Sequence, residues 1–328
     1  MLRAAIVGLG RWGQVLVNAV QEEGEPKGRH IHFTCGVART RSTAADFAFK
    51  QQLRLVDDFQ SVLADASIDA LVLATPHSQH AEQIAASAAA GKHVFCEKPL
   101  ALTKASAEAA VRAGEQAEVV LALGHNRRFL PAMAELKRIV ESDTLGALLH
   151  IEGNMSGPGA LSYAADRWRA SADESPAGGM TGMGIHVVDA MIHLIGEIAS
   201  VQTQSFRRAL SIEIDDTTSI LLRFRNGCSG YLGTMAATAP TWRLHVFGSK
   251  GRAEMRDART LEITGLEGKA ETRSFPETDI ERAELEAFAR AVTGEAPYPL
   301  PANQAVHGVA VLEAIVASAR NGSRVGVV

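Results

Sequence analysis

The stretch AAIVGLGRWG, Ala4–Gly13, decides the fold class. Ala4–Val7 reads as a short apolar strand, and Gly8, Gly10 and Gly13 follow it in the pattern G-x-G-x-x-G. Trp12–Glu22 then places Val15, Ala19 and Val20 on one side of a helix. In this setting the glycines have separate tasks. Gly8 permits a tight bend, Gly10 lets a pyrophosphate approach the backbone, and Gly13 lets the helix pack closely. Unbonded amides at the helix start then face the anion. Leu9, Arg11 and Trp12 complete this expected dinucleotide-binding loop.

Outward from this loop, apolar strands alternate with helical segments. Strands are expected at 32–38, 53–56, 69–74, 93–96 and 119–123. Helices are expected at 42–51, with Ser42 as N-cap, and at 60–64, 78–90 and 104–116. Such alternation reads as an α/β fold, a doubly wound parallel sheet covered on both faces. It runs to about Gly124. Beyond it come a helix at 130–141, a strand at 148–155, a Gly/Pro/Ser/Ala-rich loop at 156–179 and a helix at 185–195. Strands follow at 199–206, 217–225, 228–236, 243–248, 252–256 and 261–264, then helices at 280–292 and 303–321. Asn226-Gly227 marks a hairpin. The expected division is 1–124, a Rossmann-type dinucleotide-binding domain, and 125–328, an α+β domain on a large open, mostly antiparallel sheet.

Composition narrows the classes. The 328 residues exceed what one core usually organises. A net charge of −4, with no dense Lys/Arg tract, argues against nucleic acid as a partner. No apolar run approaches a membrane span, and the apolar start is too short for a signal-peptide core. Cys35, Cys96 and Cys228 match no metal-ligand spacing, so no metal is expected. Sparse, odd cysteines fit a reducing compartment, and a cytoplasmic protein is expected.

The second strand bears on the cofactor. A carboxylate at its end would hold the ribose hydroxyls of NAD. Here the chain reads Ala38-Arg39-Thr40-Arg41-Ser42, with no carboxylate before Asp46. A guanidinium fork suits a 2′-phosphate. NADP is therefore expected to be preferred, chiefly through Arg39, with NAD still possible.

Four further segments carry a resemblance: LVLATPHSQHAEQ, GKHVFCEKPLALT, GHNRRF and AGGMTGMGIHVVDAM. With AAIVGLGRWG they cover nearly the whole chain, which resembles the Gfo/Idh/MocA oxidoreductase family. The resemblance implies hydride transfer between nicotinamide and a secondary alcohol or ketone of a sugar, cyclitol or related polyol. It also implies a homodimer or homotetramer built on the open sheet. A non-catalytic dinucleotide-binding regulator, or a reductase of a non-sugar carbonyl or dihydrodiol, are the alternatives.

Carried over by motif, Lys98 stabilises the reacting oxygen and His186 is the general acid or base. Glu97, Thr75, Pro76, His80 and Asn126 line the cofactor. Asp189 lies one turn beyond His186 and is expected to orient the imidazole or face the substrate, and His193 shares that helical face. Trp168 and Arg169 are expected at the substrate, an aromatic face and a fork donor. The chain departs from the family at Gly182, where many members carry an aspartate four residues before the histidine. Asp166 and Asp173 are the candidates to replace it.

Overall fold

A computed structural model describes residues 1–328. The chain divides into two compact units, one of residues 1–101, 105–126 and 279–305, the other of residues 102–104, 127–278 and 306–328.

The first unit is a six-stranded parallel sheet. In chain order it comprises β1 (Leu2–Val7), α1 (Arg11–Val20), β2 (Ile31–Val37), α2 (Ala45–Lys50), β3 (Arg54–Val56), α3 (Phe59–Leu63), β4 (Ala70–Leu73), α4 (His80–Ala89), β5 (His93–Glu97), α5 (Lys104–Gln116) and β6 (Leu121–Gly124). The strand order is β3-β2-β1-β4-β5-β6, the doubly wound order in which ligands bind where the winding reverses, between β1 and β4. Strands β1, β4 and β5 are buried almost throughout, as both-faces-covered strands must be. Ser42 does not cap α2: residues 41–43 form a 3-10 turn, and Ala44 precedes the helix.

A helix that the sequence reading placed with the second domain belongs to the first unit. Ile280–Val292 (α8) turns Leu285, Phe288 and Ala289 into the core beside β1 and β2. Phe288 meets Phe95 of β5 with ring centroids 5.8 Å apart. Its Glu286 carboxylate accepts from the Arg29 and His30 amides, so the helix is tied by polar as well as apolar contacts. Burial of an apolar helical face outweighs position in the chain.

The second unit is built on a nine-stranded sheet. Its elements are α6 (Pro131–Glu141), β7 (Leu148–Ser156), α7 (Ile185–Ile195), β8 (Ile198–Phe206), β9 (Thr217–Phe224), β10 (Ser229–Met235), β11 (Thr241–Gly248), β12 (Gly251–Met255), β13 (Thr260–Gly265), β14 (Ala270–Ser274), the larger part of α9 (Ala302–Asn321) and β15 (Val325–Gly326). The order is β14-β13-β12-β11-β7-β10-β9-β8-β15, with only β7 and β10 parallel. The short edge strands β14 and β15 were not foreseen; β14 is mostly polar and β15 only two residues long, so neither shows a period of two. Helix α7 packs on one face where Gly153 of β7 is bare: a Cβ there would lie 2.3 Å from Val187. On the other face Phe206, Leu221 and Tyr231 stand 54%, 60% and 36% exposed.

Candidate active site

The glycine turn is shaped by close backbone approach. Gly8 has φ +97°, and its amide donates to Val37 O at 3.0 Å. A Cβ on Gly8 would lie 2.6 Å from Ala74 O, which places the ends of β1 and β4 against each other at the switch point. A Cβ on Gly13 would lie 2.2 Å from Gly8 O, so α1 starts directly on the turn. Gly10 differs: nothing lies within 4 Å of its Cβ position, and it precedes α1 with no side-chain cap. An exposed bare backbone in front of uncapped helix amides fits a phosphate group, so the residues present suit a dinucleotide. Leu9 is buried and offers only its backbone there, Arg11 is exposed, and Trp12 packs partly into the core.

At the tip of β2, Ala38 N donates to Val56 O at 3.0 Å, and Arg39 and Thr40 are exposed. Arg41 is already engaged, donating to Leu55 O at 2.9 Å and pairing with Asp57 at 3.6 Å. Asp58 caps α3 by accepting from Gln60 N, and Asp46 lies inside α2. Asp57 and Asp58 thus have protein partners, Asp46 is exposed within α2, and Arg39 stands exposed at the tip.

Strand β5 carries HVFCE and ends in the cis Lys98–Pro99 bond. Glu97 is buried at 6% exposure, with Lys98 N donating to its Oε2 at 3.3 Å. Gly124 beside it lacks a side chain; a Cβ there would lie 3.0 Å from Glu97 Oε1. Lys98 is half-buried, where β5 gives way to the turn. Burial pushes the neighbouring Cys96 thiol well up, so it stays protonated. Thr75 and Pro76 are half-buried in the turn after β4, and Thr75 Oγ1 donates to Gln83 Oε1 at 2.6 Å. Asn126 is buried and donates from Nδ2 to Glu281 Oε1 at 2.9 Å, while its Oδ1 has no protein partner. His80 has no exposed surface, and its ring nitrogens meet the carbonyls of Pro99 and Thr75. It is therefore enclosed between the two turns, with no surface of its own open to a ligand.

In the second unit, His186 is buried in the first turn of α7. A π-helical turn, Met180–Gly184, precedes it. A Cβ on Gly184 would lie 2.3 Å from Met180 Sδ, so the Met180 side chain would have to shift to admit one. Gly182 is exposed, with nothing within 4 Å of its Cβ position, so packing alone does not require glycine. Asp166 and Asp173 are both exposed.

Asp189 has a strong protein partner. Arg128 donates to its two oxygens at 2.8, 2.9 and 3.1 Å, and the side chains are 3% and 6% exposed. This ion pair anchors α7, and with it His186, to the start of the unit. Arg128 was missed although it stands in GHNRRF; two adjacent arginines look alike until one is seen to be buried. His193 sits at the far end of α7, where burial lowers its pKa to about 4. Trp168 and Arg169 stack, the guanidinium 4.3 Å from the ring centroid. Arg127 lies 5.4 Å from the ring of Trp242, a second aromatic–guanidinium pair not foreseen. The loop ahead of α7 is held firmly: Ala160, Ala170, Ile212, Ile214 and Ala236 form a small core, and Thr218 Oγ1 donates to Ala177 O at 3.1 Å.

Comparison with known proteins agrees with this architecture. A profile of the oxidoreductase family with an NAD-binding Rossmann fold matches residues 2–125, and one of the GFO/IDH/MocA C-terminal domain matches residues 133–254. The chain is 30% identical to D-xylose 1-dehydrogenase (NADP(+)) 2 of Haloferax volcanii over 81% of this chain and 83% of that protein. It is 29% identical to myo-inositol 2-dehydrogenase of Thermotoga maritima over 83% of this chain and 81% of that one. A solved levoglucosan dehydrogenase, in complex with NADH and levoglucosan, superposes with TM-score 0.88 at 21% identity, covering 99% of both chains. With a dinucleotide-type turn at the sheet's switch point and both family domains matched in order, the chain belongs to the Gfo/Idh/MocA family of nicotinamide-dependent oxidoreductases.

Proposed function

We propose that this oxidoreductase prefers NADP and interconverts a secondary alcohol and a ketone, or a lactol and a lactone, on a sugar, cyclitol or related polyol. The observation that carries the reading is the turn after β5, which leads Lys98 out of the buried sheet beside Glu97, at the sheet end bearing the bare Gly10 backbone. Bound nicotinamide dinucleotide supplies the hydride acceptor or donor. Gly8–Gly13 receive the pyrophosphate, Arg39 the 2′-phosphate, and Asn126 lines the cofactor, a role supported by its buried Oδ1 having no protein hydrogen-bond partner. Lys98 Nζ donates a hydrogen bond to the reacting oxygen and stabilises charge developing there. His186 takes the hydroxyl proton in oxidation and returns it in reduction. Trp168 and Arg169 contact the substrate.

The dinucleotide-binding domain is then residues 1–124 with α8 returning to it. The exposed Phe206, Leu221 and Tyr231 on the sheet's open face support a homo-oligomer. No helix is long and apolar enough to cross a membrane. Three buried free cysteines support a reducing compartment, and we place the protein in the cytoplasm.

The test is nicotinamide absorbance with NADP(H) and NAD(H) against a panel of xylose, myo-inositol, levoglucosan and their oxidised forms. Lys98→Met is expected to keep cofactor binding and lose turnover by at least about a hundredfold. Near-normal turnover in that variant refutes the role of Lys98. Higher efficiency with NAD(H) refutes the preference. Dinucleotide binding without turnover on any substrate favours the regulator.

A further inference from the structure

His80 lies outside the chemistry just described, yet its surroundings are unusually specific. Its ring is wholly buried, with Nδ1 2.8 Å from Pro99 O and Nε2 3.1 Å from Thr75 O. Thr75 lies in the turn leaving β4, and Pro99 in the turn leaving β5, the neighbouring strand. One imidazole thus spans two adjacent turns at the carboxyl end of the sheet. A neutral imidazole has one N–H and one lone pair. With a single proton, one of the two contacts would set a lone pair against a carbonyl oxygen at hydrogen-bond distance. With two protons, both contacts are donated hydrogen bonds.

We propose that His80 is a positioning residue: a buried imidazolium that donates from both nitrogens and clamps the Lys98–Pro99 turn to the Thr75 turn, so that Lys98 is presented in one geometry. The proposal rests on the assignment of Lys98 to the reacting oxygen. Burial by itself disfavours an imidazolium, and a buried cation is costly unless both paired and hydrogen-bonded. The two carbonyls take both N–H groups, and buried Glu97, two residues before Pro99, is the carboxylate on the held strand. The titratable groups around the clamp are His77, whose ring stands edge-on at 5.9 Å, and Cys96, Glu97 and Lys98 on the strand and turn it holds. Of these the Glu97 carboxylate favours a cation, the Lys98 ammonium opposes one, and Cys96 stays neutral.

Ring nitrogen NMR of the uniformly ¹⁵N-labelled wild-type protein at neutral pH tests the protonation without any substrate. Both His80 nitrogens are expected to carry protons; a neutral single tautomer overturns the proposal. The second arm uses His80→Ala, whose vacated ring volume admits free imidazole. Turnover of NADP⁺ with the most active sugar of the panel is expected to fall about a hundredfold, as for an angstrom-scale displacement of a reacting group. The Kd for NADP⁺ is expected to change far less. Added imidazole is expected to restore turnover, whereas 1-methylimidazole, which has one N–H at most, is not. Equal rescue by both compounds, or full turnover in a folded His80→Ala, overturns the clamp. Should Lys98→Met turn over normally while His80 proves doubly protonated, the assignment of Lys98 falls and the protonation stands.

Discussion

Alanine at each of the three glycines of the turn separates folding from cofactor binding. At Gly8 the φ of +97° is unfavourable for alanine, and the new Cβ would stand 2.6 Å from Ala74 O. The backbone strain costs ~1–3 kcal/mol and the overpacking a similar amount, so Gly8→Ala is expected to destabilise the first unit by about 2–6 kcal/mol. At Gly13 the φ is helical, but the Cβ would stand 2.2 Å from Gly8 O, a backbone atom that cannot step aside. A loss of at least about 1–3 kcal/mol is expected there. At Gly10 the φ is −78° and nothing lies within 4 Å, so Gly10→Ala is expected to change stability by no more than about 0.5 kcal/mol. The same methyl stands where a pyrophosphate must approach. Losing one charge-assisted hydrogen bond of about 1.5–3 kcal/mol weakens the Kd by about ten- to a hundredfold. Urea denaturation of the ligand-free variants and NADPH fluorescence titration read the two effects apart. The reasoning is refuted if Gly10→Ala binds NADPH like the wild type, or if it unfolds as readily as Gly8→Ala.

The buried pair gives a second expectation. Arg128→Met strands the Asp189 carboxylate and should cost about 3–5 kcal/mol in the unfolding of the second unit, whereas Arg128→Met with Asp189→Leu recovers most of it; a double variant no better than the single one contradicts this. His193 links stability to pH. Its folded pKa of about 4 lies below its ordinary 6.5, so the unfolded chain binds the proton more readily. Its contribution is complete above pH 6.5 and is lost as pH falls towards 4, by at most about 3 kcal/mol. His193→Gln should flatten that part of the stability–pH curve, and an unchanged slope would show that other groups produce it. Gly182→Asp should fold within about 1 kcal/mol of the wild type, because its side chain enters open space; a changed kcat with unchanged urea midpoint is expected, and collapse of the fold would show that the π turn itself demands glycine.

Residues that act through their immediate neighbours were legible in the chain. The strand–glycine–helix stretch Ala4–Gly13 announced the turn, and the apolar runs at β4 and β5 announced a covered parallel sheet, because burial on both faces leaves no polar alternation. HVFCEKP told that charges begin where the strand leaves the core, and the missing carboxylate after β2 could be read directly. Arg128 and Asp189 pair across 61 positions, and neither sequence neighbourhood distinguishes Arg128 from Arg127. The return of α8 to the first unit depends on which surface its Phe288 finds, and Phe95 lies far away along the chain. The motif marked His80, but a motif cannot tell whether a ring faces a ligand or grips two carbonyls. Local backbone chemistry and periodicity determined the layers, the turn and the order of the strands' polarity. Only the tertiary structure decided which charged and aromatic groups meet, because those meetings depend on burial and distance between segments that the chain itself keeps apart.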